Sequence, residues 1–142
     1  MTETKYGKYF IEKPMLEGMF APRIRFASGQ YFPESGLTLQ VNCITEPWLV
    51  EEEPHSHEFD QFLFFFGANP ADMADFQAEV ELTLGEEGEK HVISEMTVVH
   101  IPQGMLHCPL FFKHITKPIM FMTVALAPEY LKTVDNVQTT WR

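Results

Sequence analysis

The sequence predicts an all-β domain, a sandwich or barrel with little helix. Three observations carry this. The apolar segments are short and rich in β-branched and aromatic residues. Prolines separate them, and proline inside a central strand would remove a ladder hydrogen bond. No stretch alternates strand and helix as a parallel α/β fold would.

In chain order, strands are expected at residues 23–26, 37–44, 55–66, 78–84, 91–93, 97–101, 110–114 and 119–125. The clearest is 78–84, where Ala78, Val80 and Leu82 fall on one face and Glu79, Glu81 and Thr83 on the other. Residues 84–90, LGEEGEK, carry Gly85 and Gly88 and read as the loop between two strands. Glu51, Glu52 and Glu53 read as a solvated turn or strand end, as do Glu86, Glu87 and Glu89. One helical turn is expected over 70–76, with Asn69 as its cap, and another over 128–131.

A chain of 142 residues suggests one domain, and at this size about 70% of the unfolded surface is buried on folding, so a core forms without staples. Hydrophobic residues make up 45% of the chain and 13 residues are Phe, which argues against disorder. The formal net charge of −10 argues against nucleic acid or an anionic membrane as partner. The apolar runs 62–66 and 119–127 fall short of the roughly 20 residues that span a bilayer. The N-terminus lacks the basic and long apolar regions of a signal peptide. Cys43 and Cys108 are too few for a disulfide scaffold. The expectation is a cytoplasmic protein with reduced thiols. Its one domain covers 1–142, with a barrel core over about 37–127, N-terminal strands within 6–32 and a tail over 128–142.

The six histidines are not scattered. His55 and His57 are two apart, so in an extended segment both imidazoles project to one face. Neutral imidazole is the commonest metal ligand, and such a pair can chelate. The same parity continues through Phe59 to Gln61, with Glu58 and Asp60 opposite. A second cluster, IPQGMLHCP at 101–109, sets Pro102 and Gly104 in a tight turn that returns His107 toward the first pair.

These two stretches resemble the paired motifs of the cupin superfamily. HSHEFDQFLFFFG supplies His55, His57, Gln61 and Gly67 for the first motif; PQGMLH supplies Pro102, Gly104 and His107 for the second. The chain departs from the pattern at several places. Gln61 stands where glutamate is usual, Leu49 and Met96 where glycine is expected, and Phe111 where asparagine is expected. Pro54 abuts His55, Gly67 comes one residue early, and residues 68–77 read as an insertion. The resemblance implies a double-stranded β-helix, a small jelly-roll barrel with the metal inside. It also implies association through the sheets, and a homodimer is expected; the apolar YGKYFI segment outside the barrel suggests that residues 6–11 add a strand to the partner.

The expected ligands are His55, His57, His107 and Gln61, holding one divalent transition metal: Zn, Mn, Fe, Ni or Co. Gln61 in place of glutamate leaves such a site at a formal charge of +2 instead of +1 and its fourth protein position weakly held. Gln61 and His100 are the candidates for a catalytic role, His100 as a proton shuttle beside the cavity. Gln40 and Asn42, on one face of the strand expected over 37–44, and Phe64 and Phe112 are the candidates for contact with substrate. Arg23 and Arg25 share one strand face, where a surface ion pair is the simpler expectation. Tyr31, Asp60 and Cys108 are further pocket candidates, and His91 and His114 read as surface residues. The resulting functional expectation is a metal-dependent enzyme acting on a small keto, enol or hydroxy metabolite, by isomerase, lyase or hydrolase chemistry. The alternatives are a non-haem iron dioxygenase on the same three histidines and a non-catalytic barrel that binds a small molecule.

Overall fold

The structure, a computed structural model, describes residues 4–134 and 137–140. The short β1 (Met15–Leu16) and β2 (Arg23–Ala27) lead into β3 (Thr38–Ile44) and β4 (Trp48–Glu51). Then follow β5 (Gln61–Gly67), β6 (Ala78–Leu84), β7 (Glu89–Ile93) and β8 (Thr97–Ile101). The chain closes with β9 (His107–Ile115), β10 (Ile119–Ala125) and a terminal pair, β11 (Leu131–Val134) and β12 (Val137–Thr140). Two antiparallel sheets face each other, one in the order β1-β2-β3-β10-β5-β8 and the other β4-β9-β6-β7. This is the double-stranded β-helix, a jelly roll. Among the described residues no helix is long and apolar enough to cross a membrane.

Alternation decides what lies inside. Along β5, Gln61, Leu63, Phe65 and Gly67 are buried while Phe62, Phe64 and Phe66 are partly exposed. Along β10, Ile119, Phe121, Thr123 and Ala125 are buried. The registers align these positions into rows: Asn42, Phe121 and Phe65 cross the sheet together, as do Gln40, Thr123 and Leu63. Ile44, Phe65, Phe112 and Ile119 are fully shielded and form the heart of the core with Val80, Leu82 and Ile101. Each such side chain contributes about 1.5–3 kcal/mol through burial. Gly67 is required where β5 ends, since a Cβ there would meet the Asp75 carbonyl oxygen at 2.3 Å.

Several expectations need correction. Residues 55–60 are not part of a regular strand; β5 begins at Gln61. Residues 48–51 form an unanticipated strand, β4. Residues 70–76 form turns instead of a helix, because Asn69 Oδ1 accepts from Ala71 N and closes an Asx turn. Residues 128–129 are bends that lead directly into β11. Within the single chain, the segment 6–11 holds a 3₁₀ turn, Gly7–Tyr9, with no buried residue. The supposed tail also turns back onto the barrel, where Ser56 and Thr133 pair backbone to backbone.

Candidate metal centre

The two histidine motifs are joined by their main chains. His55 N donates to His107 O at 3.0 Å and His107 N to His55 O at 2.9 Å, a doubly bonded antiparallel bridge. Gly104 N donates to His57 O at 2.8 Å. Gly104 takes φ +83, a conformation that favours glycine, and the turn closes with Met105 N on Pro102 O at 3.1 Å. Asp60 lies outside the barrel and holds the same turn, accepting from Gln103 N at 2.9 Å.

The parity expected for residues 55–61 persists without a ladder. His55, His57, Phe59 and Gln61 are buried, while Glu58 and Asp60 are exposed. The imidazole centroids lie 4.8 Å apart for His55 and His57, 4.4 Å for His55 and His107, and 5.0 Å for His57 and His107. Each ring is oriented by its own main-chain carbonyl. His55 Nδ1 bonds Glu53 O at 3.1 Å, His57 Nδ1 bonds Leu131 O at 2.6 Å, and His107 Nδ1 bonds Met105 O at 3.0 Å. A carbonyl only accepts, so Nδ1 carries the hydrogen in all three rings and Nε2 carries the lone pair. Burial, followed by repulsion from His55, holds the His107 pKa down at about 3, despite the opposing bond to Met105.

Gln61 completes the group with Tyr130, a residue no motif pointed to. Gln61 Nε2 donates to the Tyr130 hydroxyl at 2.9 Å, and that hydroxyl donates to His57 Nε2 at 3.1 Å. This chain of donors turns Gln61 Oε1 the other way, where it is buried with no hydrogen-bond partner. Burial raises the Tyr130 pKa well above that of an ordinary phenol, so the hydroxyl keeps its proton. Cys108, a pocket candidate from the sequence, also belongs to the group. At the start of β9 an extra residue enters the register, with Leu82 opposite Leu110 and Leu84 opposite His107. Cys108 takes φ +89 there, and both His107 and Cys108 are buried. His55, His107 and Cys108 each offer a donor atom within 4.8 Å of the others.

His55, Gln61, His107, Cys108 and Tyr130 line a cavity of about 40 Å³, together with Glu51, Thr123 and the apolar Val50, Leu63, Leu110 and Phe121; His57 stands behind it, against Tyr130. That volume holds an ion with a water or two, not a metabolite. The donors suit a divalent transition metal: neutral imidazole nitrogens, a thiol and one amide oxygen lacking a partner. A larger cavity of about 450 Å³ adjoins it, sharing Val50, Phe121 and Thr123, and Gln40 and Asn42 line it.

Other candidates lie elsewhere. His100 is exposed on the outer face of β8, stacked on Phe62 at 4.8 Å and facing Asp60 at 4.0 Å. Its neighbour Ile101 is buried, so alternation sends His100 outward. Phe64 also points outward from β5. Phe112 is core, packed between Trp48 at 6.3 Å and Phe121 at 5.3 Å. Tyr31 and Arg25 line a separate cavity.

No protein-family model matches the sequence, and no curated protein does. Solved structures do match. An oxalate decarboxylase is similar over 91% of this chain and 30% of its own length, at 10% identity and a TM-score of 0.57. Oxalate decarboxylase of Lactobacillus farciminis, in a formate complex, is similar over 86% and 33%, at 15% identity and 0.54. The capsular polysaccharide assembling protein CapF of Staphylococcus aureus is similar over 79% and 28%, at 12% identity and 0.51. The chain thus spans a third or less of the length of each. At such identities the likeness is one of fold.

Proposed function

We propose, from the premise that this chain has the cupin fold, that it is a metal-dependent enzyme acting on a small oxygenated metabolite. One observation carries the reading: three buried imidazoles, each with Nδ1 tied to a carbonyl and Nε2 bearing its lone pair, beside the unpartnered Gln61 Oε1. His55, His57 and His107 would hold one Zn, Mn, Fe, Ni or Co ion, with Gln61 Oε1 as a further donor. When bound, such an ion supplies Lewis-acid stabilisation of negative charge on a keto, enol or hydroxy oxygen. The chain's own residues do the rest. Met105, Glu53 and Leu131 fix ring orientation through their carbonyls. Leu63, Leu110 and Phe121 keep bulk water away and strengthen every charge interaction inside. Tyr130 holds a proton at its hydroxyl oxygen, against His57 Nε2. Gln40 and Asn42 line the larger cavity, where the body of a substrate fits. The chemistry this supports is isomerase, lyase or hydrolase chemistry without redox change.

The test pairs elemental analysis with oxygen uptake and with deuterium exchange next to the carbonyl of small keto acids. Expected are one transition-metal equivalent per chain, exchange catalysed by the loaded protein, and no oxygen consumption. Oxygen consumption would instead favour the dioxygenase reading, and tight binding without turnover a binding role. Full metal content in His57→Ala would remove the ligand assignment. The exposed aromatics Tyr6, Tyr9 and Phe10 keep the homodimer as an expectation, and a monomer in sedimentation at micromolar concentration would remove it.

A further inference from the structure

Two residues in the wall of the larger cavity, Arg23 and Gln40, carry buried hydrogen-bond donors with nothing to donate to. The cavity's volume lies in the range of small-molecule sites. Arg23 enters it from β2 and Gln40 from the inner face of β3. Arg23 Nη1 donates to Gln40 Oε1 at 2.6 Å. That bond spends the amide oxygen and leaves the amide nitrogen facing away. Gln40 is only 2% exposed, yet its Nε2 has no partner; Arg23 Nε is likewise buried and without one. The Arg23 guanidinium is partly desolvated, and no carboxylate pairs with it among the described residues. Unmet buried donors are costly, which makes such a pair a receptor for whatever satisfies it.

The chemistry of the complement follows from the donors. A guanidinium and an amide nitrogen only donate, so the partner is an acceptor-only group. A carboxylate is planar and matches the free edge of a guanidinium. With a single cation, a net charge of −10 and exposed Glu17 also lining the cavity, one negative charge is better accommodated than two. Trp48, Val50 and Phe121 offer apolar surface beside the pair, and Val50 and Phe121 continue to the histidines.

We propose that Arg23 and Gln40 anchor a carboxylate of the substrate. The substrate class is then a small carboxylic acid with a second oxygen function, placed so that this oxygen reaches the histidine centre. Its catalytic part rests on the reading above; the anchor itself does not need the metal.

The experiment is a ¹⁹F NMR titration of the full chain with trifluoroacetate, with neutral trifluoroacetamide and inorganic phosphate in parallel arms, and metal content measured on every sample. Two variants are compared: Arg23→Gln, and Gln40→Glu, which conserves volume and pairs internally with Arg23. Expected are binding of trifluoroacetate but not the amide, at least about tenfold weaker binding in each variant, and unchanged metal content. Variants that bind as the parent does, with metal present, would overturn the anchor alone. Arg23-dependent binding in a parent that carries no metal would keep the anchor and overturn the metal reading. Phosphate competing more strongly than a monocarboxylate would overturn the ligand class.

Discussion

The same strands build two buried regions of opposite character. Toward one end of β5 and β10, Phe65, Phe112 and Phe121 interlock with Ile44 and Ile119, ring centroids 5.1–6.1 Å apart. Toward the other, His55, His57, Gln61, His107 and Tyr130 are 2–5% exposed. Shielding from water is nearly equal, so burial does not separate them. Satisfaction does. The aromatic region needs only dispersion and area, and has both. The histidine region retains an amide oxygen without a partner and an imidazole kept neutral far below its usual range. Stability and chemistry are thus divided along the length of single strands.

The largest effect that tests this division is Phe112→Ala. It opens a cavity in a fully shielded position and is expected to cost about 3–5 kcal/mol in urea unfolding. His57→Ala should show the reverse profile: loss of stoichiometric metal, with a smaller loss of stability in chelator-treated protein than Phe112→Ala causes. If His57→Ala destabilised the chelated chain as much as Phe112→Ala, the two regions would not be distinct in kind.

The pH dependence comes next in size. His107 titrates near 3 when folded and near the ordinary histidine value of 6.5 when unfolded. Between those values the unfolded chain binds a proton that the folded chain refuses. Stability of the metal-free protein should therefore fall as pH drops from about 6.5 toward 3, by at most about 1.4 kcal/mol per unit from this group, and level off above 6.5. His107→Gln should remove one proton's worth of that slope. An unchanged slope would assign the proton uptake to another group.

What the sequence made legible follows the range of the interactions. Strand β6 is legible from alternation, and β8 and β10 from short β-branched and aromatic runs between turn residues, all local signals. The histidine pair was legible for the same reason, since two-residue parity survives in residues 55–61 even without a ladder. His100 is a candidate from its place beside the second motif, but the buried Ile101 next to it marks the inward face and sends His100 outward. Tyr130 was invisible because it meets His57 across 73 positions, through a C-terminal turn with no motif. Arg23 looked like a surface charge because its partner, Gln40, is 17 positions away on another strand. Cys108 lies beside a recognised histidine, but its burial depends on an added residue in the β9 register that alternation does not reveal.

The smallest effects probe how the histidine region is held, and they turn on Gln61 and Tyr130. An incoming ion must take His57 Nε2 from the Tyr130 hydroxyl, so that hydrogen bond opposes metal binding. Gln61→Glu cannot donate to Tyr130. The hydroxyl would turn to the carboxylate, releasing His57 Nε2, while the new negative charge attracts the cation. Chelator resistance should rise most in this variant. Tyr130→Phe removes the competing donor without adding charge, and the net value of one hydrogen bond limits the gain to about two- to tenfold in metal affinity. It leaves Gln61 Nε2 without its acceptor, which offsets part of that gain through lost stability. A chelator titration on the parent and both variants orders them: Gln61→Glu tightest, Tyr130→Phe between, the parent weakest. Identical chelator sensitivity in all three would place Gln61 and Tyr130 outside the ion's reach, and the histidine region would then bind its metal through imidazoles alone.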